Sequence, residues 1–243
     1  MTIAAMVVFI VLQYFKAGYG FLRTPQWGHG IPNKIGWVIM EAPVFITMCV
    51  QYAISDRTAN ITIIVITALF LTHYLQRAFI FPFLIRGKNL IPIAIISLGM
   101  IFNFLNAYIQ GKWLYTLSPI NMYSISWLKS QKFIIGTIIF ISGMIINLHS
   151  DYIIRHLRKP DDSKHYIPMG GMFKYISSAN YFGEILEWVG FALLTWSPAG
   201  LVFAIWTCAN LIPRANSLYK KYEEEFGKEF TSLKRKKIIP FIY

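Results

Sequence analysis

Two polar side chains interrupt apolar stretches in the first third of the chain. Glu41 lies in WVIMEAPVF, and Tyr74 lies in LTHYLQRAF. Polar groups in lipid-embedded segments are costly, which makes them functional candidates. A tyrosine hydroxyl held by a carboxyl group is a good proton donor to a carbonyl oxygen, so this pair would polarise a carbonyl substrate. Two simpler interpretations stay open: a solvent-accessible Glu41 at a helix start, and a Tyr74 that serves only as an aromatic packing residue.

A second candidate site is the segment NLHSDYIIRHLRKP, which directly follows the apolar run FIIGTIIFISGMII. At 100° per residue, Asn147, Asp151 and Arg158 lie on one face of a helix, together with Arg155. A ladder of ion pairs from Asp151 to Arg155 is one interpretation. Because Asn147 lies deeper in the apolar segment, where an amide chiefly serves to hold a polar group, a ligand-binding face is the other.

Polar residues also recur in the carboxyl-terminal half. In SSANYFGEILEWVGF, Asn180, Glu184 and Glu187 are spaced i, i+4 and i+7, which places an amide and carboxyl groups on one face of an apolar helix. Two acidic residues within an apolar segment are hard to explain by packing alone. Arg214 ends the last apolar run, and Tyr222 follows two helical turns later.

The motifs also argue against some chemistries. His149 and His156 lie on the face opposite Asn147 and have no third ligand nearby, so we predict no metal site. The chain contains neither GxGxxG nor GxxxxGK[ST]. A bound nucleotide would therefore be held by side chains of helices.

Long apolar helices must position these residues. Of the 243 residues, 56% are hydrophobic and 14% are charged, whereas a soluble domain has about 25% charged residues. About 20 apolar residues cross a bilayer as a helix. We predict an all-α, polytopic membrane protein with a single domain, residues 1–243, and seven transmembrane helices at about 1–16, 35–54, 60–84, 90–110, 132–154, 175–195 and 198–218.

Positive charge predicts the orientation of this bundle. The connecting segments on one side hold 18 Lys and Arg residues and those on the other hold four, with Arg77 inside a span. The positive-inside rule then places the amino terminus outside or in the lumen and the carboxyl terminus in the cytosol. The net charge of +12 reflects this asymmetry rather than nucleic-acid binding. At the cytosolic end, Arg86, Lys88, Arg158 and Arg214 would form a basic mouth for an anionic ligand such as a phosphate.

The segments quoted above, together with YIPMGGMFKY and the final KIIPFIY, resemble the steroid 5-alpha-reductase family over nearly the whole chain. The resemblance implies a seven-helix membrane enzyme that uses NADPH to reduce the carbon–carbon double bond of a 3-oxo-Δ4 steroid. Its partners would be the steroid-like substrate and membrane lipids, with no nucleic acid and no obligate protein partner. The expected location is the endoplasmic reticulum of a eukaryote or the inner membrane of a bacterium, and the short start fits a compact, for example bacterial, homologue.

The resemblance also implies roles for individual residues. Glu41 and Tyr74 would polarise the substrate carbonyl, and Trp188 would help to wall the cavity between nicotinamide and steroid. Arg155 and Lys159 would serve membrane topology. The residues that would surround NADPH are Arg77, Arg86, Lys88, Asn147, Asp151, Arg158, Asn180, Glu184, Arg214 and Tyr222.

Three positions depart from the family pattern. Met40 stands where the family often has Gln, and Leu218 lies in a segment that is His-rich in the family. Both departures concern the preference for a particular steroid. Met40 is also a candidate for substrate binding. Tyr166 replaces a basic residue, which removes one potential phosphate contact.

Other functions stay open at this point. The substrate could be another lipid enone, an enoyl thioester or a polyprenol. A membrane methyltransferase of the isoprenylcysteine type and a non-catalytic lipid-binding protein are further alternatives, and the Glu41–Tyr74 pair argues against the methyltransferase.

Overall fold

Long helices make up most of the chain. The computed structural model describes residues 1–15, 18, 20–22, 27–86, 89–157 and 164–243. The α-helices in these ranges are α1 Thr2–Tyr14, α2 Asn33–Ala53, α3 Ile61–Leu75, α4 Phe81–Leu84, α5 Ile93–Lys112, α6 Gln131–His156, α7 Ala179–Thr195, α8 Pro198–Phe226 and α9 Lys228–Thr231.

Four helical segments in the described ranges are long and apolar enough to cross a membrane: Asn33–Ala53, Ile61–Leu84, Ile93–Leu117 and Gln131–His156. They coincide with four of the predicted spans, and α1, α7 and α8 coincide with the other three. The chain is thus a helical membrane protein. Seven crossings and their orientation stay predictions, because α1 and α7 are short and α8 continues into a charged segment.

The chain is mostly helical, as predicted, and a small β-sheet that the prediction did not include joins two of the connections. Strand β1, Gly30–Pro32, pairs antiparallel with β2, Leu90–Pro92, with Ile31 opposite Ile91. Each strand ends in a proline directly before a helix, and a residue that precedes proline favours extended backbone. Helix α5 therefore begins at Ile93 rather than at residue 90. The sheet ties the start of α2 to the start of α5, which pack side by side.

Two helices contain a wider, π-helical turn. Helix α3 continues through the π turn Gln76–Ile80 into α4, and α5 continues through Trp113–Leu117. Such turns add a residue to the helical repeat and are frequent at functional sites. The first of them carries Arg77, which points into the cavity described below.

Helices α6 and α7 pack backbone against backbone. Gly136 and Gly143 lie seven residues apart on α6 and meet Gly183 and Gly190 on α7. A Cβ atom on Gly183 would lie 2.5 Å from the nitrogen of Asn147 and 2.7 Å from the Gly143 oxygen. Small residues let membrane helices approach this closely. The contact fixes the register between the polar face of α7 and that of α6.

Candidate active site

One large cavity gathers most of the predicted site residues. Its volume is about 1130 Å³, above the range of roughly 300–1,000 Å³ that is typical of single-ligand pockets. Helices α1, α2, α3, α5 and α8 contribute to its wall, together with the end of α6 and the start of α7. The predicted residues that line it are Met40, Glu41, Tyr74, Arg77, Arg86, Asp151, Asn180, Glu184, Arg214 and Tyr222.

Two asparagines of α5 position the Glu41 and Tyr74 side chains. Asn103 Nδ2 donates a hydrogen bond to Glu41 Oε2 at 3.0 Å, and Asn106 Nδ2 donates to Tyr74 Oη at 3.4 Å. The predicted orientation of Tyr74 by Glu41 needs correction, since no hydrogen bond of the described residues joins the two. The two buried asparagines contact these side chains instead, because α5 packs against α2.

Arg77 is the centre of a polar cluster. Its Nη1 atom lies 2.9 Å from Asp151 Oδ2, and its Nη2 atom lies 3.7 Å from Glu184 Oε2. Asn180 Nδ2 also donates to Asp151 Oδ1, at 3.3 Å. The guanidinium carbon lies 5.0 Å from the centre of the Trp37 ring, a cation–π contact. Asp151 thus pairs across the bundle with Arg77, and the proposed ladder from Asp151 to Arg155 does not form.

Asn147 and Trp188 lie behind the cavity wall and do not line it. Asn147 Nδ2 donates to the Asn180 backbone oxygen at 2.9 Å, which anchors the first turn of α7 to α6. Trp188 is buried and contacts the rings of His73, Tyr74 and other aromatic residues. The structure therefore corrects both predicted contact roles: these two side chains hold the residues that line the cavity.

The mouth of the cavity is basic and aromatic. Arg214 Nε donates to Tyr181 Oη at 2.6 Å. Tyr222 stacks on Phe230, with ring centres 5.2 Å apart, and Arg86 also lines the cavity. Arg158 and Lys88, which are also predicted here, lie outside the described residues, as does Lys159.

Arg155 contributes to the mouth as well. The prediction gave it a role in membrane topology, but its side chain lines the cavity, and its Nη1 atom is buried with no hydrogen-bond partner among the described residues. Its position on the Asn147 face was visible from the sequence. Its orientation into the cavity depends on how α6 packs, which helical spacing does not show.

Sequence reasoning missed one buried pair. His73 Nδ1 lies 2.8 Å from Glu187 Oε1, and both side chains are buried. Each residue is conspicuous as a polar side chain in an apolar segment. Their pairing is not, because 114 positions separate them.

These features describe a helical membrane protein with a large internal cavity that has an apolar part and a charged mouth. The family model described as 3-oxo-5-alpha-steroid 4-dehydrogenase matches residues 89–243. The chain is 39% identical over 241 residues to 3-oxo-5-alpha-steroid 4-dehydrogenase 1 of Mus musculus, covering 98% of this chain and 92% of that protein. It is 38% identical over 245 residues to the steroid 5-alpha-reductase DET2 of Solanum lycopersicum, covering 99% and 93%.

A human relative gives the same result. Identity to 3-oxo-5-alpha-steroid 4-dehydrogenase 1 of Homo sapiens is 38% over 227 residues, which cover 93% of this chain and 86% of that protein. The chain therefore belongs to the 3-oxo-5-alpha-steroid 4-dehydrogenase family, and the predicted resemblance is confirmed. The relatives' names describe oxidoreductases, which argues against the methyltransferase alternative.

Proposed function

We propose that this chain catalyses the NADPH-dependent reduction of the carbon–carbon double bond of a 3-oxo-Δ4 steroid to the 5α product. The observation that carries the proposal is the shared cavity, in which Tyr74 and Glu41 face the same space as Arg77 and the basic mouth. A steroid carbonyl and a nicotinamide cofactor would meet there. The names of the relatives support the steroid as substrate.

The mouth suits the chemistry of NADPH. Arg86, Arg155 and Arg214 offer cationic donors to phosphate groups, and arginine binds phosphate oxygens well because its donors form a planar fork. The buried Nη1 atom of Arg155 in particular has no hydrogen-bond acceptor among the described residues. Deeper in the cavity, Asp151 and Glu184 can accept hydrogen bonds from ribose hydroxyls. Arg158 and Lys88 stay predicted contributors.

The chain's own residues stabilise the charge that develops during reduction. NADPH, when bound, would supply the hydride that the β-carbon of the enone receives. Negative charge then develops on the carbonyl oxygen, where a preorganised donor lowers the barrier most. Asn106 donates to the oxygen of Tyr74, which leaves the hydroxyl proton of Tyr74 available to the substrate. Asn103 holds Glu41 beside the same space.

The apolar part of the cavity fits a flat lipid. Leu98, Phe102 and Leu105 of α5 line it together with Phe203 and Trp206 of α8, and the Phe102 ring stacks on the Trp206 ring, with ring centres 4.5 Å apart. Such a wall excludes water from the reacting atoms, which strengthens the hydrogen bond to the developing oxyanion. We infer that the substrate comes from the lipid phase and NADPH from the cytosol, in the endoplasmic reticulum or a bacterial inner membrane.

The purified protein tests this proposal in detergent or lipid. We expect NADPH and testosterone or progesterone to give the 5α-dihydro steroid, with one NADPH consumed per product. Tyr74→Phe should lower turnover by about 10² or more, as expected for loss of a donor to an oxyanion, while NADPH still binds. Tyr108→Phe, at an exposed position of α5, is the matched control.

Two results would contradict the proposal. Methyl transfer from labelled S-adenosylmethionine would assign a different enzyme class. Reduction of an enoyl thioester or a polyprenol without reduction of any 3-oxo-Δ4 steroid would keep the reductase and exclude the steroid.

A further inference from the structure

The His73–Glu187 pair is a second polar unit beside Tyr74. His73 Nδ1 and Glu187 Oε1 are 2.8 Å apart, and Glu187 is completely buried. The other carboxyl oxygen, Oε2, is buried and has no hydrogen-bond partner among the described residues. A buried carboxyl group with one free oxygen is costly for a site that only joins two helices.

The charge of the His73–Glu187 pair indicates that it holds one exchangeable proton. A carboxylate beside an imidazolium and a carboxylic acid beside a neutral imidazole are both electrically neutral, and both contain one exchangeable proton. Loss of that proton would leave a net negative charge in an apolar environment, which is unfavourable. Arg77 does not compensate for it, because Asp151 and Glu184 already share its guanidinium.

The position of the pair connects it to the reaction. His73 lines the cavity next to Tyr74, and the centres of the two rings are 4.8 Å apart. Since Nδ1 faces Glu187, Nε2 is the ring nitrogen that remains for the cavity. Glu187 lies behind His73, where its backbone packs against Gly143 of α6 and cannot shift easily.

Several other ionisable groups lie near the histidine ring. Besides its partner Glu187, these groups come from four elements: Glu184 of α7, Arg77 of the π turn, Tyr74 of α3 and Glu41 of α2. Of these, Glu187 alone makes a direct hydrogen bond to His73 in the described part of the chain.

We propose that His73 supplies the proton that the reduction consumes, and that Glu187 is its positioning residue; the inference rests on the proposed function. The enone gains a hydride at the β-carbon and a proton at the α-carbon, so each turnover takes up one proton. Tyr74 gives its hydroxyl proton to the carbonyl oxygen; the resulting enol then gains a proton at the α-carbon from water and returns its O–H proton to water, so the net uptake is one proton. The Nε2–H bond of His73 then breaks and the Tyr74 O–H bond re-forms, and the pair regains a proton from water at the mouth.

Substitutions that keep the hydrogen bond but cannot carry the proton test this inference. In His73→Asn, the amide nitrogen can still donate to Glu187 from about the position of Nδ1. We expect kcat to fall by about tenfold or more, within the range of general acid–base effects, with KM for steroid and for NADPH changed by less than about threefold. Glu187→Gln should act in the same direction.

The pH profile separates a proton role from a packing role. In the parent protein kcat should fall as pH rises, because the pair loses its proton. In His73→Asn this fall should disappear, and added imidazole should restore part of the activity of His73→Ala. The control is His156→Asn, since His156 is exposed and its hydrogen bond within the described residues is to the Tyr152 oxygen of its own helix. The double variant His73→Gln with Glu187→Gln, which removes both charges, checks folding through NADPH binding.

Two outcomes are distinguishable. If folded His73→Asn keeps the parent kcat and pH profile, the pair is only a structural link between α3 and α7, and the proposed function stands. If the parent protein itself fails to reduce a 3-oxo-Δ4 steroid with NADPH, the proposed function and the inference both fall.

Discussion

At the scale of single residues, Arg155 shows how an unsatisfied group indicates a ligand. Its Nη1 atom is buried at the cavity mouth without a partner in the described residues, while the guanidinium carbon lies 5.9 Å from the Phe81 ring centre. An unmet buried donor is unfavourable, and a hydrogen bond to a charged acceptor contributes about 1.5–3 kcal/mol. A phosphate oxygen of the cofactor would satisfy this atom.

We predict that Arg155→Ala raises KM for NADPH by about tenfold or more, which corresponds to loss of one such charged hydrogen bond. The kcat at saturating cofactor should change little, because Arg155 lies away from the reacting atoms. Steady-state titrations with NADPH and with NADH measure the two KM values. A higher KM for NADPH alone identifies the 2′-phosphate as the group that Arg155 binds, and a higher KM for both cofactors identifies the pyrophosphate. Lys129→Ala, at the opposite end of the molecule, is the control, and an unchanged NADPH titration would exclude Arg155.

Helical spacing predicted which residues share a face of one helix, but it did not predict which residues of different helices contact each other. It placed Asp151 and Asn180 on ligand-binding faces, and both line the cavity. It could not pair Asp151 with Arg77, or His73 with Glu187, because those contacts join residues 74 and 114 positions apart. Such contacts depend on how the helices pack, which a single sequence does not encode in its local pattern.

At the scale of elements, the glycine contact between α6 and α7 determines the geometry of the site. Gly183 lies on α7 between Asn180 and Glu184 of the polar cluster, about one turn before Glu187 of the buried pair. Because the α7 backbone rests directly on α6, its carboxyl groups are held in a fixed position relative to Asp151. A side chain at the contact would displace the whole polar face of α7.

We predict that Gly183→Ala lowers the melting temperature by several degrees. Its Cβ would meet backbone atoms that cannot move aside, overpacking costs about 1–3 kcal/mol, and each kcal/mol corresponds to roughly 2–4 °C in a domain of this size. Thermal unfolding in detergent measures the shift.

The matched comparison is Gly99→Ala. There the new Cβ would meet only the flexible Met40 side chain, 2.5 Å from its Cγ. We expect a smaller shift in melting temperature, with a change in KM for the steroid because Met40 lines the cavity. Equal melting temperatures for the two variants would contradict the close packing of α6 on α7.

Hydropathy predicted the positions of the long helices but not the irregular elements. Apolar run length is a local property, so the spans and helices coincide. The β1–β2 pair and the π turn at Gln76–Ile80 depend on contacts between segments, and the sequence pattern alone gave no indication of either. Both elements are important for the site, because the β1–β2 pair ties α2 to α5 and the π turn carries Arg77.

At the scale of the whole molecule, hydrogen bonds gather the connecting segments into two groups. In the first, Arg57 of the α2–α3 connection donates to Ser118 Oγ at 2.6 Å, and Asn60 Nδ2 donates to the Tyr123 oxygen at 3.1 Å. In the second, β1 pairs with β2, and Ile176 pairs with Lys236 of the carboxyl-terminal segment. The predicted order of spans assigns the first group to one side of the membrane and the second group to the other, and this assignment stays a prediction.

The charge of the two ends leads to a prediction of orientation. The connections predicted to be cytosolic contain 18 Lys and Arg residues, against four at the other end, and positive charge is retained on the cytosolic side. We therefore expect the carboxyl-terminal segment to face the cytosol and the α5–α6 connection to face the opposite side. The cavity mouth, which includes Arg155 and Arg214, would then open to cytosolic NADPH.

Single cysteines at two exposed serines measure this orientation. In a background where Cys49 and Cys208 are replaced by serine and turnover is retained, Ser126→Cys probes the α5–α6 connection and Ser232→Cys probes the carboxyl-terminal segment. A membrane-impermeant maleimide should label the cysteine at 126 in intact cells or sealed organelles from the non-cytosolic side. It should reach the one at 232 only from the cytosol. Labelling of both from one side would exclude the predicted arrangement of spans, and the reversed pattern would place the basic mouth away from cytosolic NADPH.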